Sequence, residues 1–268
     1  MLSARTVLSS DGVEIADVSC RYSAGRGQPG EQTGSHAVVF IRRGCFVRSL
    51  DGLEAVLDPT VAYCVNPGQE QRYDHPYDHG DDCTALFLPA GLVNSLWGGE
   101  PELPSGPLPT LPDIDLEHRL LLRAGRSRAD AHDVLERAIV LTARLLEQVD
   151  RRRVAVGRPA TFHARRALAD GAREALAENP ERSLPDLARA LSVSPHHLSR
   201  VFRAVTGNTI SRHRMRLRAR CALERLAGGE RNLARLAHDV GFADQSHLCR
   251  VVREETGHTP SALRRLLV

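Results

Sequence analysis

Four side chains in the first third of the sequence carry the donor atoms of a metal site. Cys64, His75, His79 and Cys83 follow one another at intervals of eleven, four and four residues. Two thiolates and two imidazoles can complete a tetrahedral zinc site, and the same cysteines allow redox sensing. The spacing matches no standard zinc finger, however. The alternative is that the cysteines are small buried strand residues and the histidines lie in loops.

A second group of chemically capable residues occurs twice, fifty positions apart. Residues 197–209 match residues 247–259 at an offset of 50, and upstream of them residues 184–193 match 233–242 at an offset of 49. The duplication places Arg200 and Arg250 at equivalent positions. An arginine side chain can fork to O6 and N7 of guanine, the pattern that reads a G·C pair in the major groove of DNA. The alternative is that these arginines pair with acidic neighbours or with phosphates.

Each copy of the repeat predicts a helix, a tight turn and a second helix. Serine, asparagine or aspartate stands where each helix should begin, and glycine stands where each second helix should end. Between the copies, residues 209–226 predict one helix roughly 26 Å long. Its five alternating arginines, Arg212 to Arg220, either neutralise phosphates or solvate a surface helix. The caps are Ser183, Ser194, Asn232 and Asp244, and the glycines are Gly207 and Gly257.

This pattern resembles the AraC/XylS family of transcription regulators over about residues 162–266. The resemblance rests on the two helix-turn-helix units, the long connecting helix and the closing stretch 257–264, although Ile210 and Val252 depart from the common family residues. It implies that the second helix of each unit enters the major groove. The base contacts it implies are His196, Ser199, Arg200, Gln245, Ser246, Cys249 and Arg250, and the phosphate contacts are Ser194, Arg203, Arg253 and Thr259.

The charge distribution fits a DNA-binding carboxyl-terminal half. The whole chain of 268 residues has a net charge of only +3, and all 36 of its basic residues are arginine. Residues 1–156 carry 16 Arg against 22 acidic residues, a net of −6, whereas residues 157–268 carry 20 Arg against 11, a net of +9. Such asymmetry indicates nucleic-acid binding confined to one domain. With no membrane span or signal peptide in the sequence, we expect a cytoplasmic protein with reduced cysteines.

Short runs of β-forming residues separated by turn formers fill residues 36–88, which predicts a small sandwich or barrel. In the resembled family this part is often a cupin-like barrel that binds a small effector. The predicted pocket residues are His36, Phe40, Tyr63, Tyr73 and His75. Enzymatic cupins usually carry paired histidines one residue apart. His36 has no such partner, so we expect neither an enzyme nor a cofactor.

The predicted fold is therefore α+β, in three parts. A cupin-like sensor domain spans 1–112, a helical dimerisation segment or linker spans 113–156, and an all-α double helix-turn-helix domain spans 157–268. The apolar stripe of a predicted helix at 129–151 packs either on a second subunit or on its own amino-terminal domain. We expect an activator, as a homodimer, with double-stranded DNA, a small-molecule effector and RNA polymerase as partners. The alternatives are an amino-terminal domain that only dimerises, a metal or redox sensor, and a cupin enzyme fused to a DNA-binding domain.

Overall fold

The computed structural model describes residues 2–21, 30–76, 80–99, 102–127, 129–150 and 159–268. Strands dominate its amino-terminal part and helices its carboxyl-terminal part. The predicted α+β class is confirmed, with a β-rich domain followed by an all-α domain that contains two helix-turn-helix units. The domain boundaries after residues 112 and 156 stay predictions, and the linker predicted at 151–159 falls almost entirely outside the described residues.

The β domain consists of two antiparallel sheets. The larger has the strand order β1-β2-β8-β3-β6-β9 and the smaller the order β5-β4-β7. In chain order the strands are β1 (Leu2–Ser10), β2 (Val13–Cys20), β3 (His36–Arg43), β4 (Phe46–Leu50), β5 (Leu53–Leu57), β6 (Val61–Val65), β7 (Gln71–Asp74), β8 (Asp81–Leu88) and β9 (Leu108–Pro109).

Both faces of the larger sheet are buried, so alternate residues along each strand belong to two different cores. Along β8, Cys83 and Ala85 belong to the core between the two sheets, whereas Leu86 and Leu88 belong to a core on the opposite face. Successive side chains of a strand point to opposite faces, which makes this division strict. Two residues of this sheet can share a site only when they lie on the same face.

Three helices cover the outer face of the larger sheet: α1 (Ala90–Leu96), α2 (Pro112–Arg126) and α3 (Ala131–Asp150). The predicted apolar stripe of α3 is buried here, with Val134, Ala138, Leu141 and Leu145 at most 2% exposed. The stripe therefore packs on its own domain, as the second of the two interpretations has it. The structure does not support its use as the dimer contact, because the same side chains cannot also bury a second subunit.

The carboxyl-terminal part contains both predicted helix-turn-helix units. In each unit the first residue of each helix follows a side chain that caps it. Ser194 accepts a hydrogen bond from the His197 amide, and Asp244 accepts one from the His247 amide. Gly207 and Gly257 end the second helices with φ of 73° and 75°, a left-handed conformation that glycine adopts without strain. The helices are α4 (Pro159–Glu178), α5 (Leu184–Ala190), α6 (Pro195–Thr206), α7 (Ile210–Ala227), α8 (Leu233–Asp239), α9 (Gln245–Thr256) and α10 (Pro260–Leu267).

The connecting helix α7 is not the solvated surface helix that its composition suggests. Arg216, Arg218 and Arg220 are all at most 9% exposed. Arg216 and Arg220 both donate to the backbone carbonyl of Thr110, at 2.6 and 2.9 Å, and Arg220 also pairs with Asp115 of α2. Arg216 and Arg220 thus hold the two domains together and are not available to phosphates. Among the described residues, no helix has the length and apolar character needed to cross a membrane.

Candidate functional site

The second helices of the two units, α6 and α9, present equivalent surfaces to solvent. Each buries one stripe at helical spacing, formed by Leu198, Val201 and Phe202 in α6 and by the matching residues of α9. The buried stripe fixes the rotation of each helix, so the opposite side faces outward. All eleven predicted DNA contacts are consequently exposed or half-buried: His196, Ser199, Arg200, Gln245, Ser246, Cys249, Arg250, Ser194, Arg203, Arg253 and Thr259.

The two arginines at equivalent positions differ in their local partners. Arg200 lies 3.5 Å from the ring Nδ1 of His197. Arg250 forms an ion pair with Glu254 at 3.5 Å, one helical turn away, and both side chains are about half exposed or more. Exposed pairs of this kind contribute at most about 1 kcal/mol, so Arg250 can exchange Glu254 for another acceptor.

A cavity of about 530 Å³ lies in the β domain, between the two sheets. This volume is within the usual range for small-molecule sites. Its wall is mainly apolar and includes several polar side chains. The lining residues are Leu2, Ala4, Val18, Cys20, Glu31, Gln32, Thr33, Ala37, Val39, Phe46, Tyr63, Val65, Gln71, Tyr73, His75, Asp81, Cys83, Ala85 and Phe87.

Three of the five predicted pocket residues line this cavity, and two do not. Tyr63, Tyr73 and His75 are among its wall residues. His36 and Phe40 lie on the other face of β3, and their side chains are buried on the outer side of the sheet. There Phe40 stacks on His118 of α2, with ring centroids 4.6 Å apart. His36 and Phe40 therefore do not line the pocket, because they lie on the wrong face of their strand.

The four residues of the predicted zinc set do not come together either. Cys64 lies in the outer core beneath α1–α3 and Cys83 lies in the wall of the cavity, so the sheet separates their thiols. Burial raises the pKa of the Cys64 thiol to about 12, which leaves it protonated and unreactive. His79 is outside the described residues. The predicted set is therefore wrong as a group.

A different cluster forms in the wall of the cavity. His75 Nε2 lies 3.4 Å from Cys20 Sγ and 2.7 Å from Asp81 Oδ2, while the Cys83 thiol donates to the other carboxylate oxygen of Asp81 at 3.3 Å. Burial, followed by the nearby Asp81 charge, raises the pKa of Cys83 well above its usual value. These four side chains share one wall of the cavity.

A buried arginine connects the cavity wall with α7. Arg42, only 6% exposed, donates to the backbone carbonyl of Cys83 at 3.3 Å and to Glu224 of α7 at 3.3 Å, and it also pairs with Asp17. Glu224 accepts a second hydrogen bond, at 2.6 Å, from Arg119 of α2. A change in the backbone of β8 can therefore reach the helix that connects the two helix-turn-helix units through two hydrogen bonds.

Comparison with known proteins bears on the helical part. Residues 187–266, which run from within α5 into α10, match a family described as a helix-turn-helix domain. Over 79 residues the chain is 30% identical to the Escherichia coli K12 protein named "Uncharacterized HTH-type transcriptional regulator YijO". Residues 187–266 therefore form a domain of this helix-turn-helix family. The match to YijO covers 30% of this chain and 28% of that relative.

Solved structures similar to this chain include whole proteins and single domains. ToxT from Vibrio cholerae O395 is 11% identical, with a TM-score of 0.40, over 97% of this chain and 99% of that one. An AraC-type regulator from Chromobacterium violaceum is 22% identical, with a TM-score of 0.36, over 38% and 93%. A cupin superfamily protein from Desulfitobacterium hafniense DCB-2 is 17% identical, with a TM-score of 0.28, over 33% and 77%.

Some contacts at these sites leave no signal in the sequence. Cys20 and Asp81 were not recognised as neighbours, yet the register of β2 on β8 places them directly opposite each other. Sixty residues separate them, and strand pairing over that distance leaves no local pattern in the sequence. Parity within a single run, by contrast, could have shown that Cys83, Ala85 and Phe87 share one face of β8.

Proposed function

We propose that this chain is a sequence-specific transcription regulator, which binds double-stranded DNA through α6 and α9 and responds to a small molecule held in the cavity. The observation that carries the proposal is the duplicated surface. Arg200 and Arg250 stand exposed at equivalent positions of two capped helices joined by α7. At 18 residues, α7 is about 27 Å long, a length that suits two helices in successive major grooves.

The charge available for DNA is smaller than the sequence total. Much of the excess in residues 157–268 lies in side chains such as Arg173, Arg216 and Arg220, which face acidic or carbonyl groups inside the protein. On α6 and α9 the exposed arginines are Arg200, Arg203, Arg250 and Arg253. We therefore expect salt dependence from only a few phosphate contacts per chain.

The cavity chemistry favours an uncharged and largely apolar effector. Glu31 and Asp81 are acidic, and the described lining includes neither Arg nor Lys, so the wall offers a carboxylate or phosphate ligand no guanidinium or ammonium group. Tyr73 donates to Gln71 Oε1 at 3.0 Å, and Arg48 donates to the same oxygen at 2.6 Å. These bonds fix two polar groups of the wall in place before a ligand enters.

An open cavity also favours a ligand-binding role over the alternative of a domain that only dimerises, for which a filled interior is expected. We propose no catalytic activity, because the early strands lack the paired metal-binding histidines of cupin enzymes. Acting on chromosomal DNA, the protein would work in the cytoplasm as an activator, with RNA polymerase as its protein partner. Its oligomeric state is part of the test below.

The decisive experiment is selection of bound sequences from a random pool of double-stranded DNA by the purified full-length chain. We expect a consensus with two blocks separated by about 10 base pairs, one turn of DNA. Sedimentation of the complex gives the number of chains per site. Recovery of sequences with no common motif, bound no better than random DNA, would remove sequence-specific regulation.

The effector role needs a separate test. A thermal-shift screen of neutral aromatic and aliphatic compounds should yield compounds that stabilise the wild-type protein, because ligands of the native state raise its melting temperature. Ala85→Phe would fill the cavity and abolish that stabilisation without changing affinity for the selected DNA. Equal stabilisation of both proteins would place the compounds outside the cavity.

A further inference from the structure

Three strand ends bring a sulfur, a nitrogen and an oxygen donor atom together in the wall of the cavity. Cys20 ends β2, His75 follows β7 and Asp81 begins β8, and each residue is only 5% exposed. The antiparallel register sets Cys20 opposite Asp81, and the His75 ring contacts both side chains through Nε2. One atom from each residue, a sulfur, a nitrogen and an oxygen, lies within 4.8 Å of the other two.

We propose that Cys20, His75 and Asp81 bind a divalent zinc-like cation. In tetrahedral zinc sites, Zn–S bonds of about 2.3 Å and Zn–N or Zn–O bonds of about 2.0–2.1 Å place neighbouring ligand atoms roughly 3.3–3.6 Å apart. The Cys20 Sγ to His75 Nε2 distance of 3.4 Å already has this value. The Asp81 oxygen, 2.7 Å from His75 Nε2, needs to retreat by only about half an ångström to admit the ion.

The charge of the site suits a dication. A Cys20 thiolate and the Asp81 carboxylate together neutralise a charge of +2, which a buried site requires of its ligands. Zinc would release the thiol proton of Cys20 to solvent and take the place of the hydrogen bonds that now join the three side chains. Sulfur and imidazole ligands favour zinc over the hard cations magnesium and calcium.

The fourth coordination position faces the cavity. All three ligands line the cavity wall, so an ion held by them would be open to the space where a small molecule fits. The nearby Cys83 thiol is bonded to Asp81 Oδ1 at 3.3 Å, and we assign it the role of orienting that carboxylate from outside the coordination sphere. This site differs from the set predicted from sequence and shares only His75 with it.

Zinc titration of the purified, metal-free full-length protein tests the proposal. We expect one tightly bound zinc per chain, and bound cobalt should show both a thiolate charge-transfer band and the intense visible bands of tetrahedral geometry. Cys20→Ser should lose the charge-transfer band and weaken zinc binding by more than about 100-fold, since even groups outside a coordination sphere are worth 10–100-fold. Asp81→Asn should weaken binding to a similar degree.

Two matched variants separate this site from adventitious binding to thiols. Cys221→Ser removes an exposed cysteine elsewhere in the fold and should leave the stoichiometry, affinity and cobalt spectrum unchanged. Cys83→Ser should keep the charge-transfer band and reduce affinity by at most about 100-fold. Circular dichroism and urea unfolding of each variant exclude loss of fold as the cause.

The proposal is overturned if the wild-type protein binds no zinc, or if Cys20→Ser and Cys221→Ser bind it equally well. Loss of the band in Cys83→Ser with retention in Cys20→Ser would overturn the ligand assignment. The titration involves no DNA, so its failure leaves the proposed DNA binding standing. Failure of the DNA selection would likewise leave the metal site in place.

Discussion

The Asp58 carboxylate in the β domain lies 2.9 Å from the Arg173 guanidinium of α4, and Asp58 is fully buried. His213 of α7 approaches the same oxygen at 3.5 Å, while Thr60 donates to the other oxygen from its amide and its hydroxyl. Burial alone would raise the pKa of Asp58, but the Arg173 and His213 partners hold it well below its ordinary value of 3.8. Two helices of the helix-turn-helix domain, α4 and α7, thus converge on one carboxylate of the β domain.

We expect Asp58→Asn to lower the free energy of unfolding by about 3–5 kcal/mol, because Arg173 would be left buried beside an amide group. Urea unfolding followed by circular dichroism measures the change. Glu70→Gln is the matched control, since the Glu70–Arg72 pair is exposed, and its loss should cost at most about 1 kcal/mol. Equal effects of the two substitutions would contradict the structural importance of the buried pair.

His118 should make stability depend on pH near neutrality. Burial, followed by the nearby arginine charges, lowers its pKa well below the ordinary value of 6.5, so the ring stays neutral in the folded protein. Below pH 6.5 the unfolded chain takes up a proton at His118 that the folded chain does not. The free energy of unfolding should therefore fall as the pH drops, by up to about 1.4 kcal/mol per pH unit from this residue.

Replacement of the ring isolates that contribution. His118→Phe keeps an aromatic ring stacked on Phe40 and should flatten the dependence between pH 6.5 and 5, measured by urea titration at several pH values. The rest of the chain is identical in the two proteins, so its contribution cancels in the comparison. Parallel curves for wild type and variant would show that His118 does not titrate as proposed.

A methyl group added at Gly80 would both strain the backbone and collide with a neighbouring carbonyl oxygen. The φ of Gly80 is 61°, and an added Cβ would lie 2.3 Å from the carbonyl oxygen of Cys20. Gly52 has φ of 76° with open space around it. We expect Gly52→Ala to cost about 1–2 kcal/mol of stability through backbone strain alone. Gly80→Ala should cost more and should also disturb the Cys20–His75–Asp81 cluster, which zinc titration would report.

Arg250→Ala should weaken binding to the selected DNA site by about 1–3 kcal/mol and relax the preference at one base pair. Arg253→Ala should weaken binding to selected and random DNA alike, because a phosphate contact carries no sequence information. Fluorescence anisotropy with the selected site, its single-base variants and a random duplex distinguishes the two. A uniform loss for Arg250→Ala would make it a phosphate contact as well.

The helical part of the fold was predictable because its determinants are local. Ser194, Asp244, Gly207 and Gly257 act within a few residues of the helix ends that they set, and the duplication repeats each pattern. The predicted connecting helix, 209–226, differs from the observed α7 by one residue at each end. Local capping chemistry of this kind is readable from a single sequence.

The cavity and the domain contacts depend on residues far apart in the chain. Phe40 was predicted to line the pocket, yet its position on β3 directs its side chain toward the helices. Arg220 is of the residue type expected on a DNA-binding surface. It is buried instead against Asp115 and the Thr110 carbonyl, which lie more than a hundred positions earlier in the chain. Sequence alone does not show which strands pair or which domain faces a helix, so these contacts could not be predicted.

The two roles of α7 have a geometric consequence. The helix that sets the separation of α6 and α9 is also the helix that contacts the amino-terminal part of the chain through Arg216, Arg220 and Glu224. A tilt of about 5° in a rod about 27 Å long moves its far end by roughly 2 Å, and a hydrogen bond to a base edge does not survive a shift of that size. Motion too small to alter the fold of either domain would thus bring both recognition helices into register with their grooves, or take one of them out.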